Sequence, residues 1–363
     1  MTKIDILIDA REFVPDRMTG IGRMLMGLVD ALADSPWVKT IILAGYHEAV
    51  PAQLRGCRSV SSVLLPKSFV RAEWDLSQLT RRGYGVFISP YPKLPLFGVH
   101  CPSVHTIHDV LDLSEPVYRK HYKALIDKRR LSRALRQADM TWYDSLWSMQ
   151  ETGDMFGFRG KDPRVRHLGV DHRFDDAEQP TDKTVLEKYG LQKGYILTVG
   201  NGLPHKNLGI LLEIAGETPR VQVFAGVPAG SREHWEHLYP AKSAIWIEAV
   251  NDEELPALLR QAFCLSQPSL AEGYGYPPLE AMACGTPAVV SDIPVLTETT
   301  GLNALVADPR DWKSWLAAYE RLENENFYQT QVEKGLCWVA RIKGRQGWMK
   351  HVADIEELIG RKQ

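Results

Sequence analysis

Short apolar runs alternate along the chain with longer amphipathic stretches. Residues 4–8 are apolar around a single Asp5. Thr19-Gly20-Ile21-Gly22-Arg23 follows, and then helical spacing at Met24, Leu25, Leu28, Val29 and Leu32. A strand, a glycine turn and a helix open a doubly wound α/β domain. Strand runs recur at 40–43, 62–65, 86–89 and 104–107, with a helix predicted over 70–82. Residues 141–148 and 165–170 read as the last strand, a turn and another strand. Residues 172–192 are polar and charged, and read as a linker holding a short helix. The pattern then restarts. A strand at 194–199 leads into Gly200-Asn201-Gly202, and strands follow at 221–225, 245–247 and 262–265. From Trp312 the pattern is helical, Gly344 to Gly347 breaks it, and 348–359 form a last amphipathic helix. The reading is α/β, with Rossmann-like domains at 1–175 and 176–345 and a C-terminal segment at 346–363.

Composition agrees with this reading and narrows the partners. A length of 363 residues suits two domains, and 44% hydrophobic with 24% charged residues suits two packed cores. A formal net charge of −2 argues against a globally basic nucleic-acid binder. Cys57, Cys101, Cys264, Cys284 and Cys337 are dispersed without C-x-x-C spacing, as in a cytosolic protein with reduced thiols. The opening residues carry no long apolar run of the signal-peptide kind, and no stretch approaches the ~20 apolar residues of a membrane span. A cytoplasmic location is expected.

The chemistry concentrates at 269–288, SLAEGYGYPPLEAMACGTPA. A strand leads into Glu272-Gly273-Tyr274-Gly275. Pro277 and Pro278 open a short helix that Gly285 and Pro287 close, the order expected of helix starts and stops. Glu272 and Glu280 bracket the helix N-terminus, where free N–H groups and the positive dipole end favour an anion. A nucleotide diphospho-sugar fits: phosphates at the dipole, ribose on one acid, sugar hydroxyls on the other. A second glycine turn, Gly200 to Asn207, places Lys206 to reach a phosphate as a point charge. His108 and Asp109 end the 104–107 strand, where a parallel sheet meets its ligand. His105 sits mid-strand and reads as core. No D-x-D segment or metal-ligand cluster is present, so neither a metal nor a bound cofactor is expected.

The string S-x-x-E-G-x-G-x-P-x-x-E-A-x-A-x-G-x-P, complete at 269–287, resembles the donor site of the GT4 family of retaining glycosyltransferases. The likeness extends over nearly the whole chain. VHTIHDVLDL is similar to the family's T-x-H-D segment, Gly169-Val170-Asp171 to its G-V-D, and VGNGLPHKN to its V-G-x-x-x-P-x-K-N. The resemblance implies the GT-B architecture: two Rossmann-like domains facing each other across a cleft, with a C-terminal helix crossing back to the first. It also implies roles. Glu280 binds ribose. Glu272 holds sugar hydroxyls. Lys206 and the N–H groups of Gly273, Tyr274 and Gly275, with Leu279 beside them, take the leaving diphosphate. His108 lies beside the reacting sugar, and Asp109 orients His108 or bonds the acceptor. Backbone near Val250 contacts the base. Gly20 and Gly22 approach a ligand, or only let the helix pack closely. Relatives carry an arginine near position 201 that binds the diphosphate; Asn201 and Gly202 stand there instead.

The activity implied is metal-independent front-face transfer of a hexose from a nucleotide sugar to a glycan or lipid-linked glycan. The TGIGR, HDV and PHKN variants are similar to bacterial polysaccharide mannosyltransferases using GDP-mannose. A UDP-sugar transferase shares the same acid pair. A nucleotide-sugar epimerase and a non-catalytic binding protein of this fold are the rival classes. Residues 117–139 form a basic helical stretch whose Leu125, Ile126, Leu131 and Leu135 are expected to mark its buried face. Its cations are either a solvated face or a contact with anionic membrane. Nucleic acid is disfavoured, because no aromatic interleaving accompanies the charge.

Overall fold

The computed structural model describes residues 3–13, 19–46, 54, 59–114, 121–240 and 244–361. Cys57, Arg119 and Lys120 lie outside them, as does the side chain of Lys123. The chain forms two compact units, 1–169 with 344–363, and 170–343. The divisions fall a few residues before the expected 175 and 345.

The first unit holds a seven-stranded sheet. Its strands are β1 (Ile4–Asp9), β2 (Val38–Gly45), β3 (Val60–Leu64), β4 (Val86–Ser89), β5 (Ser103–Ile107), β6 (Met140–Tyr143) and β7 (Pro163–Val165). They lie in the order β3-β2-β1-β4-β5-β6-β7, and every pairing is parallel. Helices cover a parallel sheet on both faces, which is why β4, β5 and β6 are buried at every position. The C-terminal helix Met349–Gly360 belongs to this unit. Its buried Asp354 accepts from Trp142 Nε1 at 2.9 Å, Arg166 Nε at 2.7 Å and Arg164 Nη1 at 2.5 Å.

Three local readings change here. The stretch 141–148 is strand only to Tyr143. Ser145 then caps a helix, Leu146–Phe156, by accepting from the Ser148 N–H at 3.0 Å. The strand expected at 165–170 ends at Val165, and Val170 makes only an isolated bridge to Lys343. On the basic helix His121–Gln137, Leu131 and Leu135 are buried, but Leu125 and Ile126 are 53% and 54% exposed. The two apolar pairs occupy different arcs of the helix, and only one arc meets the core.

The second unit holds a six-stranded sheet of β8 (Ile196–Val199), β9 (Gln222–Ala225), β10 (Ile245–Ile247), β11 (Cys264–Gln267), β12 (Ala288–Ser291) and β13 (Leu305–Ala307). The order is β10-β9-β8-β11-β12-β13, again parallel throughout. Trp315, Tyr319 and Phe224 anchor its core. Among the described residues, no helix is long and apolar enough to cross a membrane.

Candidate active site

In the second sheet the strand order reverses between β8 and β11. The loops after Val199 and after Gln267 therefore leave the sheet side by side, where open α/β sheets take their ligands. The first loop runs through Gly202 and a single 3₁₀ turn, Pro204–Lys206, to the helix Leu208–Glu213. Asn207, at φ 54°, joins the two. Its Nδ2 donates to Pro268 O at 3.0 Å and Pro309 O at 2.8 Å, and His205 O accepts from Leu270 N at 2.8 Å. These bonds clip the two loops together.

They also bring Lys206 onto Glu272. Lys206 Nζ lies 2.7 Å from Glu272 Oε1, which also accepts from Ser269 Oγ at 2.6 Å and Gln267 Nε2 at 2.5 Å. Among the described residues these donors all use one oxygen and leave Oε2 for a further donor. Burial opposes ionisation of Glu272, yet the Lys206 charge and the bonds from Lys206 and Ser269 outweigh it and hold the carboxyl below its ordinary value. Burial, then the Lys206 charge, push His205 below its ordinary value, so it is neutral beside this pair. Lys206, expected on phosphate, is in this structure the counter-ion of Glu272.

The helix after the loop starts at Tyr276. Its second and third residues are Pro277 and Pro278, which carry no N–H. Amides at this helix start are therefore fewer than a helix N-terminus usually offers. The N–H groups that remain around it belong to Gly273, Tyr274, Gly275 and Tyr276, because that of Leu279, expected on the diphosphate, closes the first helical turn onto Gly275 O. Gly275 takes φ 88°, and a side chain there would meet Leu296. Leu279 is fully buried and Tyr274 nearly so, which withholds both side chains from a ligand. Glu280, one turn in, is 1% exposed. Val250 is half-buried in the loop after β10. Asn201 is exposed, its Oδ1 accepting from Leu203 N at 3.3 Å. Gly202 takes φ 67°, and a Cβ there would lie 2.8 Å from Val227 Cγ1. An arginine cannot occupy Gly202 without rebuilding the turn.

In the first unit, His108 and Asp109 follow β5 as expected. His108 Nδ1 bonds Asp144 Oδ2 at 2.5 Å, and Nε2 donates to Pro90 O at 2.9 Å. A carbonyl only accepts, so Nε2 carries its proton. Burial disfavours the charged ring, but Asp144 overcomes this and raises its pKa to about 9. Asp109 Oδ1 accepts from Leu111 N at 3.0 Å, and burial raises its carboxyl despite that bond. Both line a cavity of about 360 Å³, together with Tyr91, Lys93, Asp112 and Arg130. Burial and then the charges of Arg11 and Arg130 lower the Lys93 ammonium. His105 is fully buried against Thr141, as read.

Gly20 and Gly22 are not a turn before the helix but its first turn, Gly20–Ala33. The Gly22 N–H is taken by Thr19 Oγ at 3.0 Å, so Gly22 presents no amide to a ligand; Gly20 is exposed. The residues missed in sequence are Gln267 and Asp144. Each stands at or just past the C-terminal end of a parallel strand, and that position is the signal that could have found them.

Residues 182–335 match the family model for glycosyl transferases group 1. The second unit carries a group 1 glycosyltransferase domain. Over 366 aligned positions the chain is 26% identical to the O-antigen chain mannosyltransferase B of Escherichia coli, covering 91% of this chain and 94% of that one. The sucrose-phosphate synthase of Thermosynechococcus elongatus superposes with a TM-score of 0.77 at 16% identity, over 99% of this chain and 100% of its own. HepE of Anabaena, solved in complex with UDP and glucose, superposes at 0.75 and 16%, over 98% and 100%. The fold is GT-B, as the glycosyltransferase resemblance implied. Within the glycosyltransferase domain, the matched segment includes both loops of the switch point, Lys206, Glu272 and Glu280.

Proposed function

We propose that the protein is a retaining hexosyltransferase that moves mannose from GDP-mannose to a glycan or lipid-linked glycan. The observation that carries this reading is the buried Glu272, charged, fixed through one oxygen by Lys206, Ser269 and Gln267, and one loop away from the buried Glu280. A carboxylate so held at an anion-binding switch point suits a sugar whose hydroxyls must be oriented against a diphosphate. In this reading Glu280 takes the ribose and the free oxygen of Glu272 a sugar hydroxyl. Lys206 and the loop amides balance the leaving diphosphate, with no metal. Backbone near Val250 meets the base, His108 serves the transferred sugar, and Asp109 serves the acceptor.

The bond from the anomeric carbon to the diphosphate oxygen breaks while the acceptor hydroxyl attacks the same face. The acceptor proton passes to the departing phosphate oxygen. Mannose is favoured by the E. coli relative named a mannosyltransferase, and GDP by the resemblance to transferases that use GDP-mannose. Lipid-linked acceptors would bring the basic helix near anionic membrane. The second reading, a UDP-sugar donor, is favoured by the likeness to HepE with UDP and glucose.

Calorimetry with GDP, UDP and ADP and their sugars, with EDTA present and Glu280→Ala as control, decides between them. A GDP preference that the variant abolishes is expected; a UDP preference replaces the sugar. No binding without divalent cations ends the metal-independent reading. Inversion at the anomeric carbon, read by product NMR, ends the front-face mechanism.

A further inference from the structure

The cavity past the C-terminal ends of β4 and β5 holds a cation that the chemistry above does not use. Its walls include Lys93, Asp109, Asp112, Asp127 and Arg130. Most charges around it are spent on one another. Arg11 grips Asp9 through Nε at 2.8 Å and Nη2 at 2.6 Å, and its Nη1 reaches Glu73 Oε1 at 3.0 Å. Arg130 Nη2 donates to the same Glu73 oxygen at 3.1 Å, and Leu96 N donates to the other at 2.8 Å. Asp144 is taken by His108, and Glu12 by the hydroxyls of Thr19 and Tyr91.

Lys93 is left over. Among the described residues its ammonium makes no hydrogen bond and no ion pair, and it lies over the Tyr91 ring, 4.7 Å from the centroid. Arg11 and Arg130 are balanced by Asp9 and Glu73, so Lys93 is the surplus positive charge. It is half-buried, and burial, then the charges of Arg11 and Arg130, lower its ammonium. A cation held this way is costly until an anion completes it. Asp109, Asp112 and Asp127 line the same cavity but do not pair with Lys93. Ionised carboxylates only accept hydrogen bonds, and hydroxyls are ready donors to them. A ligand with an anionic group for Lys93 and hydroxyls for the acids satisfies both walls, and that ligand is an acidic sugar.

We propose that this cavity binds an acceptor sugar carrying an anionic substituent, a phosphate or a carboxylate, with the anion on Lys93 and hydroxyls on Asp109 and Asp127. Lys93 then selects acidic over neutral acceptors. The proposal rests on the transferase reading for the ligand's part as acceptor, and on the cavity alone for its charge.

The test is calorimetry on the full chain with mannose 6-phosphate, glucuronic acid, methyl α-mannoside and inorganic phosphate. One of the two acidic sugars is expected to bind at least about tenfold more tightly than methyl α-mannoside, and which one does so assigns the phosphate or the carboxylate. Lys93→Met is expected to remove that preference and Lys93→Arg to keep it. Asp127→Asn is expected to weaken acidic and neutral sugars alike. The thermal midpoint of Lys93→Met should equal or exceed that of the wild type, because the lost charge has no partner. A lowered midpoint would reveal such a partner and overturn the proposal. Equal binding of neutral and acidic sugars overturns it too, as does a preference that survives Lys93→Met. Inorganic phosphate binding as tightly as mannose 6-phosphate overturns the sugar. If neither GDP nor UDP binds while the acidic preference holds, the transferase reading falls and the acidic-sugar site stands.

Discussion

Lys206 Nζ and Glu272 Oε1 are 2.7 Å apart, at side-chain exposures of only 18% and 9%. The pair couples the cation of the loop after β8 to the acid of the loop after β11. Lys206→Met should leave a buried carboxylate on two neutral donors and cost about 3 kcal/mol in urea unfolding. Lys206→Met/Glu272→Gln should recover most of that stability, because no charge is then stranded, while transfer activity stays lost. Additive stability losses in the double variant would show that the two side chains are not coupled.

The absent arginine can be restored at one of two neighbouring positions and not at the other. Asn201 is exposed and gives up only a 3.3 Å bond to the Leu203 N–H. Asn201→Arg is expected to fold normally and tighten nucleoside diphosphate binding several-fold in calorimetry. Gly202 has a positive φ with Val227 against it. Gly202→Arg should destabilise by about 2 kcal/mol or more and weaken nucleotide binding. Equal thermal midpoints for the two variants would contradict this account of the loop.

Much of this was legible in the chain, because strand–turn–helix units write themselves in apolar periodicity, and parallel strands buried on both faces read as apolar runs. The acid pair and its glycines were equally plain. What stayed hidden depends on adjacency. Asp144 is a lone acid after an apolar strand until β6 pairs with β5 and brings it onto His108. Lys206 reads as a phosphate ligand, and nothing in the sequence says that Asn207 also clips its loop onto the loop of Glu272. Periodicity also cannot say which apolar arc of a helix meets the core. Leu125 and Ile126 read as part of the buried face because they are apolar, and the structure turns them outward.

Acid stability should depend on His351. It is 1% exposed, with Trp142 and Trp348 ring centroids 4.8 Å and 5.1 Å away. Burial lowers its pKa to about 3, the nearby Asp354 only partly opposing. The folded value lies below the unfolded one, so the unfolded chain takes up the proton first, and stability is lost as pH falls below about 6.5. By pH 5 the loss from this one group is about 2 kcal/mol. His351→Phe should flatten the slope of unfolding free energy between about pH 6.5 and 5. His105, also lowered to about 3 by burial, should leave a residual slope of the same sign. Identical slopes in variant and wild type would remove His351 from the account.

The opposite sign applies at His108, where the charged ring is the folded form. Its two nitrogens reach Asp144 and the Pro90 carbonyl, and Asp144 raises the pKa to about 9 against the effect of burial. Because the folded value lies above the unfolded one, this contribution to stability is complete below about pH 6.5 and is lost as pH rises through about 9. Asp144→Asn removes the counter-charge but not the burial, so the imidazole should titrate below about 6.5, as followed by NMR. If the charged ring serves the transferred sugar, the wild-type rate holds through neutrality and falls above about pH 9. The Asn variant then loses its activity as pH rises through that lowered value, already below about 6.5, and is at least about tenfold slower at pH 7.5. Superimposable pH–rate profiles would confine the His108–Asp144 pair to holding β5, β6 and the Pro90 loop together.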